Sequence, residues 1–133
     1  MKDFRKLKVW EKAHALTVDV YRASGHFPRS EMFGLTAQIR RASVSIASNL
    51  AEGCGRQTDG ELGRFATFAM GSASEVEYQL LLARDLGYLD ESEAVGLSER
   101  VVEVKRMLGG LLSRLDRPQH PPLPCARDLL ADR

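Results

Sequence analysis

Apolar side chains return along this chain every three or four residues, in four separate stretches. Val9, Ala13, Leu16 and Val20 step by four, three and four, drawing one stripe along a helix over about residues 6–23. Trp10, Thr17 and Tyr21 widen that stripe, Gly25 ends it, and Pro28 blocks any continuation. A second helix is predicted from near Ser30, a good N-cap residue, through Leu35, Ile39, Ala42, Ile46 and Leu50 to the stop at Gly53 and Gly55. It is rich in small residues (Ala42, Ser43, Ser45, Ala47, Ser48, Ala51), which lets another helix backbone come close. A third opens on Thr58-Asp59-Gly60-Glu61, a capping box, and buries Leu62, Phe65, Ala69, Ala73, Val76, Leu80 and Ala83 before Gly87. The fourth starts at Asp90, with Glu91 and Glu93 in its positive first turn. Its stripe is Leu97, Val101, Val104, Leu108, Leu111 and Leu115. Gly109 and Gly110 each weaken that helix by about 1 kcal/mol relative to alanine, and their size allows a close contact there.

Four helices joined by short connections predict an all-α, antiparallel up-down-up-down four-helix bundle. The bundle occupies residues 1–116; residues 117–133 form a flexible tail, disordered or extended because of Pro118, Pro121, Pro122 and Pro124. No stretch approaches the ~18 consecutive apolar residues of a membrane span. The first residues are charged and lack the apolar run of a secretory signal. Cys54 and Cys125 do not make a disulfide framework and read as two free thiols in a reducing cytoplasm.

The net charge of +1 hides an asymmetry. Residues 1–57 carry ten basic and five acidic side chains, whereas residues 58–116 carry six and eleven. Lys6, Lys8 and Lys12 lie on or before the first helix, and Arg40 and Arg41 adjoin on the second. Two readings stand: a solvated face neutralised by the acidic half, or a patch for phosphates. The pI of about 7.8 is low for a dedicated nucleic-acid binder, and no aromatic stacking platform is visible.

Catalytic chemistry is not signalled. His14, His26 and His120 fall on a helix, in a loop and in the tail, without metal-ligand spacing, and no Glu-x-x-His motif occurs. Ser43, Ser45 and Ser48 sit inside a helix, where hydroxyls bond back to the backbone rather than act as nucleophiles. No cofactor and no metal are expected. Asn49 and Glu52, one turn apart on the small-residue helix, and Glu75 and Glu77 on the third, are either a solvated face or polar contacts between helices or subunits.

Several strings resemble one family. They are Phe4-Arg5-Lys6-Leu7-Lys8-Val9-Trp10, then Phe33 through Ala42, then Ser45-Ile46-Ala47-Ser48-Asn49-Leu50-Ala51-Glu52-Gly53, and then Gly71-Ser72-Ala73-Ser74-Glu75-Val76-Glu77 and Leu86-Gly87-Tyr88-Leu89. Over about residues 4–115 they resemble the intervening-sequence proteins encoded within 23S ribosomal RNA genes, a family that includes the accessory variability protein of diversity-generating retroelements. Ala47 stands where that family often has proline. The resemblance implies a non-catalytic ring, typically a homopentamer. It also implies an adaptor that binds RNA or DNA, and a reverse transcriptase in the retroelement branch, through basic surface. Arg40 and Arg41 are the implied contacts, with Lys6, Lys8 and Lys12 beside them. A protein-interaction scaffold that docks a partner protein without nucleic acid is the alternative. In a ring, the basic half of one subunit is expected to face the acidic half of the next.

Overall fold

The computed structural model describes residues 2–116. Four helices carry them: α1 (Lys8–Ser24), α2 (Leu35–Cys54), α3 (Asp59–Asp85) and α4 (Glu91–Leu115). Each packs on the two helices beside it in chain order, α1 against α4 included, and the backbones of the diagonal pairs stay apart. This is the all-α up-down-up-down bundle that the spacing predicts. The tail at 117–133, Cys125 and His120 lie outside the described residues.

The apolar stripes converge on one core. Leu16, Ile39, Ile46, Leu50, Leu80 and Leu108 are all but sealed from solvent, with Val20, Val76, Val101 and Val104 between them. On the third helix Ala66, fully buried, takes the central place expected for Phe65, which is half-buried. Phe65 stands at the α2/α3 seam instead, where Gly53 makes room for it. A Cβ at position 53 would fall 2.9 Å from Phe65 Cβ and 3.0 Å from Leu62 Cδ1. The small residues of α2 thus do what they predict, and they do it against α3.

Both N-terminal boundaries move inward from their expected places. A 3-10 turn, Phe4–Lys6, precedes α1 because the Asp3 carboxylate accepts the Arg5 amide at 3.0 Å. Pro28 holds an extended backbone (φ −57°, ψ 146°), and Ser30 lies within a second 3-10 turn, Arg29–Glu31. Ser30 therefore caps nothing. Gly34 is the N-cap of α2, and Glu31 Oε1 accepts the Leu35 amide at 3.4 Å. Thr58 accepts from the Glu61 amide and Asp90 from the Glu93 amide as expected, but among the described residues the Glu61 carboxylate does not complete the capping box by accepting the Thr58 amide. Gly87 turns the chain after α3 with φ +79°, a conformation that favours glycine. Gly109 and Gly110 leave room for a close neighbour on α4. No described atom lies within 4 Å of where their Cβ would stand, so the close contact allowed there is not made within the described chain.

Candidate nucleic-acid interface

The five basic residues picked out in the sequence occupy three different settings. Arg40 is a strut. Its Nε donates to Ser24 Oγ at 2.8 Å, its Nη2 donates to the Tyr21 carbonyl at 3.1 Å, and its guanidinium lies 4.8 Å from the centre of the Tyr21 ring. It thereby ties α2 to the last turn of α1, where the helix dipole favours a cation. Lys12 reaches across to α4 and pairs with Glu103 at 3.4 Å. Lys6 and Lys8 are exposed at the start of α1, without an ion-pair partner among the described residues. That end of the bundle also holds the end of α2, since the Lys2 amide donates to the Cys54 carbonyl at 2.8 Å. Arg41, exposed and likewise unpaired, lies thirteen residues back along α2 from Cys54, or about 20 Å at 1.5 Å per residue. The fold does not gather the five into one patch. It leaves Lys6 and Lys8 exposed at the start of α1 and Arg41 exposed at the α2/α3 seam.

Internal pairing does not erase the charge asymmetry. Lys2–Asp59, Lys12–Glu103 and Arg100–Asp19 are the ion pairs between the halves among the described residues, and the last runs in the opposite sense. In the front half Lys6, Lys8, Arg29, Arg40 and Arg41 stay outside any ion pair, against Glu11 and Glu31. In the back half Arg64, Arg106 and Arg114 stand outside ion pairs against seven carboxylates, Glu61, Glu75, Asp90, Glu91, Glu93, Glu99 and Asp116. Outside these ion pairs the basic half keeps a surplus of cations and the acidic half a surplus of carboxylates.

A family model described as 23S rRNA-intervening sequence protein matches residues 5–110. The chain belongs to this family. A crystal structure of a protein with unknown function from the S23 ribosomal protein family, from Bacteroides thetaiotaomicron, has the same fold with a TM-score of 0.71. The two are 21% identical, and the match covers 78% of this chain and 97% of that one. No curated protein matches. The family match contains Lys6, Lys8, Lys12, Arg40 and Arg41 and stops before the tail.

For this family member the four polar residues divide by seam. Asn49 Nδ2 donates to Ser45 Oγ at 3.0 Å and to the Ser45 carbonyl at 2.8 Å, and Ser45 Oγ meets Ser72 Oγ at 2.8 Å across the α2/α3 seam. Arg41 and Glu75 line the same shallow cleft, of about 200 Å³, with Gln38 and the two serines. Glu75 accepts from Gln79 within α3, and Glu52, in the last turn of α2, pairs with Arg56 just beyond it at 3.1 Å. Glu77 crosses to α4, where Lys105 Nζ lies 2.9 Å away. Asn49, through Ser45, and Glu77 are thus interhelical contacts, while Glu52 and Glu75 satisfy themselves locally.

Three features escaped the sequence reading. Gln79 is 4% exposed, and its Oε1 has no partner among the described residues. The Tyr88 hydroxyl donates to Glu31 Oε2 at 3.0 Å and locks the two connections at one end together, and this bond to a carboxylate raises the phenol's pKa. Asp19 and Arg100 join α1 to α4. In the last two the partners are distant in sequence, so no local pattern announces them. Among the described residues no three His, Cys, Asp or Glu side chains converge as a metal site requires. Cys54 is a free, buried thiol whose pKa is pushed up by burial. No described helix is long and apolar enough to cross a membrane.

Proposed function

We propose that this chain is a non-catalytic RNA-binding adaptor that works as a closed cytoplasmic ring, five copies being the size its resemblance implies. The observation that carries this reading is the basic surplus of residues 2–57, with Lys6, Lys8 and Arg41 exposed and outside ion pairs among the described residues. One subunit offers few phosphate contacts. A ring repeats them, and simultaneous contacts raise avidity well beyond a single set. RNA rather than DNA is the favoured ligand because the family is described by its ribosomal RNA setting. Arg40 serves by holding the α1/α2 surface in shape, not by touching phosphate.

A titration of structured RNA into the full chain, read by fluorescence anisotropy, tests the proposal. Replacing Lys6, Lys8 and Arg41 by glutamate should weaken binding by at least about tenfold, since phosphate contacts supply most non-specific affinity. Equal binding by that variant, or none by the unaltered protein, would sink the RNA reading and leave the scaffold that docks a partner protein.

A further inference from the structure

At the α2/α3 seam, Ser45 Oγ and Ser72 Oγ meet at 2.8 Å and mark the register of two antiparallel helices. Arg41 stands one turn back from Ser45 along α2, and Glu75 about one turn on from Ser72 along α3. The two therefore face each other at one height. They line one cleft of about 200 Å³ with Gln38 and the two serines, yet no ion pair joins them. Glu75 is held from behind. Gln79, 4% exposed, turns its Nε2 to Glu75 Oε1 at 3.2 Å and leaves its own Oε1 sealed, without a partner among the described residues. A buried acceptor left unpaired is costly, and here the cost goes with the orientation that fixes the Glu75 carboxylate at the cleft.

A guanidinium and a carboxylate on opposite walls, unpaired with each other, suit a ligand that offers acceptors to one and donors to the other. A phosphate would lie against Glu75 and a cation against Arg41, so neither alone suits the cleft. Its volume falls short of the roughly 300–1,000 Å³ that encloses a whole small ligand, so it takes the edge of a larger molecule. Guanine meets both demands in one rigid plane: O6 and N7 accept from an arginine, while N1–H and the N2 amino group donate to a carboxylate. No other RNA base sets donors on two adjacent positions for the two oxygens of a carboxylate. The same face of α3 also carries a stacking plane. Phe68, 46% exposed, lies seven residues before Glu75, about 10 Å along the helix, with the Arg64 guanidinium 5.6 Å from its ring centre. Successive bases of a single strand stack on aromatic rings that have arginine beside them.

We propose that the Arg41/Glu75 cleft reads an unpaired guanine of single-stranded RNA. Arg41 donates to O6 and N7, Glu75 accepts from N1–H and the N2 amino group, and Gln79 positions the carboxylate. A base-paired guanine hides its N1–H and N2 amino group, so the site requires an unpaired one. This inference rests on the RNA reading above and deepens it: Arg41 supplies specificity at a base edge, while Lys6 and Lys8 supply charge.

The test titrates the full chain, by fluorescence anisotropy, with three labelled oligoribonucleotides: uridine throughout, the same strand with one central guanosine, and the same with inosine in its place. The guanosine strand should bind about tenfold tighter than the uridine strand, and inosine, which lacks the N2 amino group, should lose most of that gain. Glu75→Gln should abolish the preference while the uridine strand binds as well or better. A carboxylate that merely faced solvent would, once neutralised, raise affinity for all three strands alike. Arg41→Lys keeps the charge but not the planar fork, and should lose the preference too. Circular dichroism checks that both variants fold. Equal binding of guanosine, inosine and uridine strands by the unaltered protein, or a preference that survives Glu75→Gln, overturns the cleft and leaves the adaptor. So does binding of structured RNA with no binding of any of the three strands. Failure to bind RNA of either kind overturns both.

Discussion

Replacing Arg40 by alanine separates a strut from a phosphate contact. The guanidinium makes one half-buried bond to Ser24 Oγ at 2.8 Å, one exposed bond to the Tyr21 carbonyl at 3.1 Å, and a stack on the Tyr21 ring at 4.8 Å. Charged hydrogen bonds contribute about 1.5–3 kcal/mol when sheltered and less in solvent, and an exposed cation–π stack about 0.5–1 kcal/mol. With solvent screening allowed for, Arg40→Ala should cost about 2 kcal/mol, or some thirtyfold in the folding constant. Arg40→Lys should cost nearly as much, since an ammonium cannot span both acceptors with a planar fork. Arg41, exposed and outside any ion pair, should change stability by less than about 0.5 kcal/mol when made alanine. Urea unfolding followed by far-UV circular dichroism measures all three. If Arg40→Ala unfolds at the parent's midpoint while losing RNA affinity as Arg41→Ala does, the strut assignment is wrong.

The remaining predictions concern glycine and the buried thiol. Gly53→Ala should destabilise by about 1–3 kcal/mol despite a better helix propensity, because its Cβ would meet Phe65 Cβ at 2.9 Å. Gly110→Ala, with nothing within 4 Å, should stabilise by up to about 1 kcal/mol in the same urea assay, and a loss would reveal a contact from outside the described residues. In Cys125→Ser protein, Cys54 should resist a thiol reagent at neutral pH and react only on unfolding, whereas rapid labelling of the folded protein would contradict its burial. Burial raises the Cys54 pKa in the folded chain, so its contribution to stability is intact below 9.0 and lost as pH rises past that ordinary value.

The helices, their order and most of their core were legible because spacings of three and four are local. Leu97, Val101, Val104, Leu108 and Leu111 are all buried as their period demands. Boundaries were less legible. Ser30 has the chemistry of a cap, but Pro28 and the Glu31 carboxylate move the start of α2 to Leu35. Phe65 leaves the core centre to Ala66 and stands instead against Gly53 at the α2/α3 seam, a close approach that no spacing announces. The candidate site was legible in residue type and not in partnership. Adjacent arginines look alike in sequence, yet one is spent on Ser24 and Tyr21 and the other on nothing described. Asn49, Ser45 and Ser72 form a relay that only the packing of α2 on α3 creates. Phe33 is in sequence only the start of a family-like string, and its 93% exposure comes from the fold alone.

The salt dependence of RNA binding by the unaltered full chain tests the central claim most directly. An adaptor that holds RNA through several phosphate contacts should lose affinity steeply between ~50 and ~200 mM salt, by about tenfold or more. Affinity that does not change with salt, or no binding at the lower concentration, would contradict it.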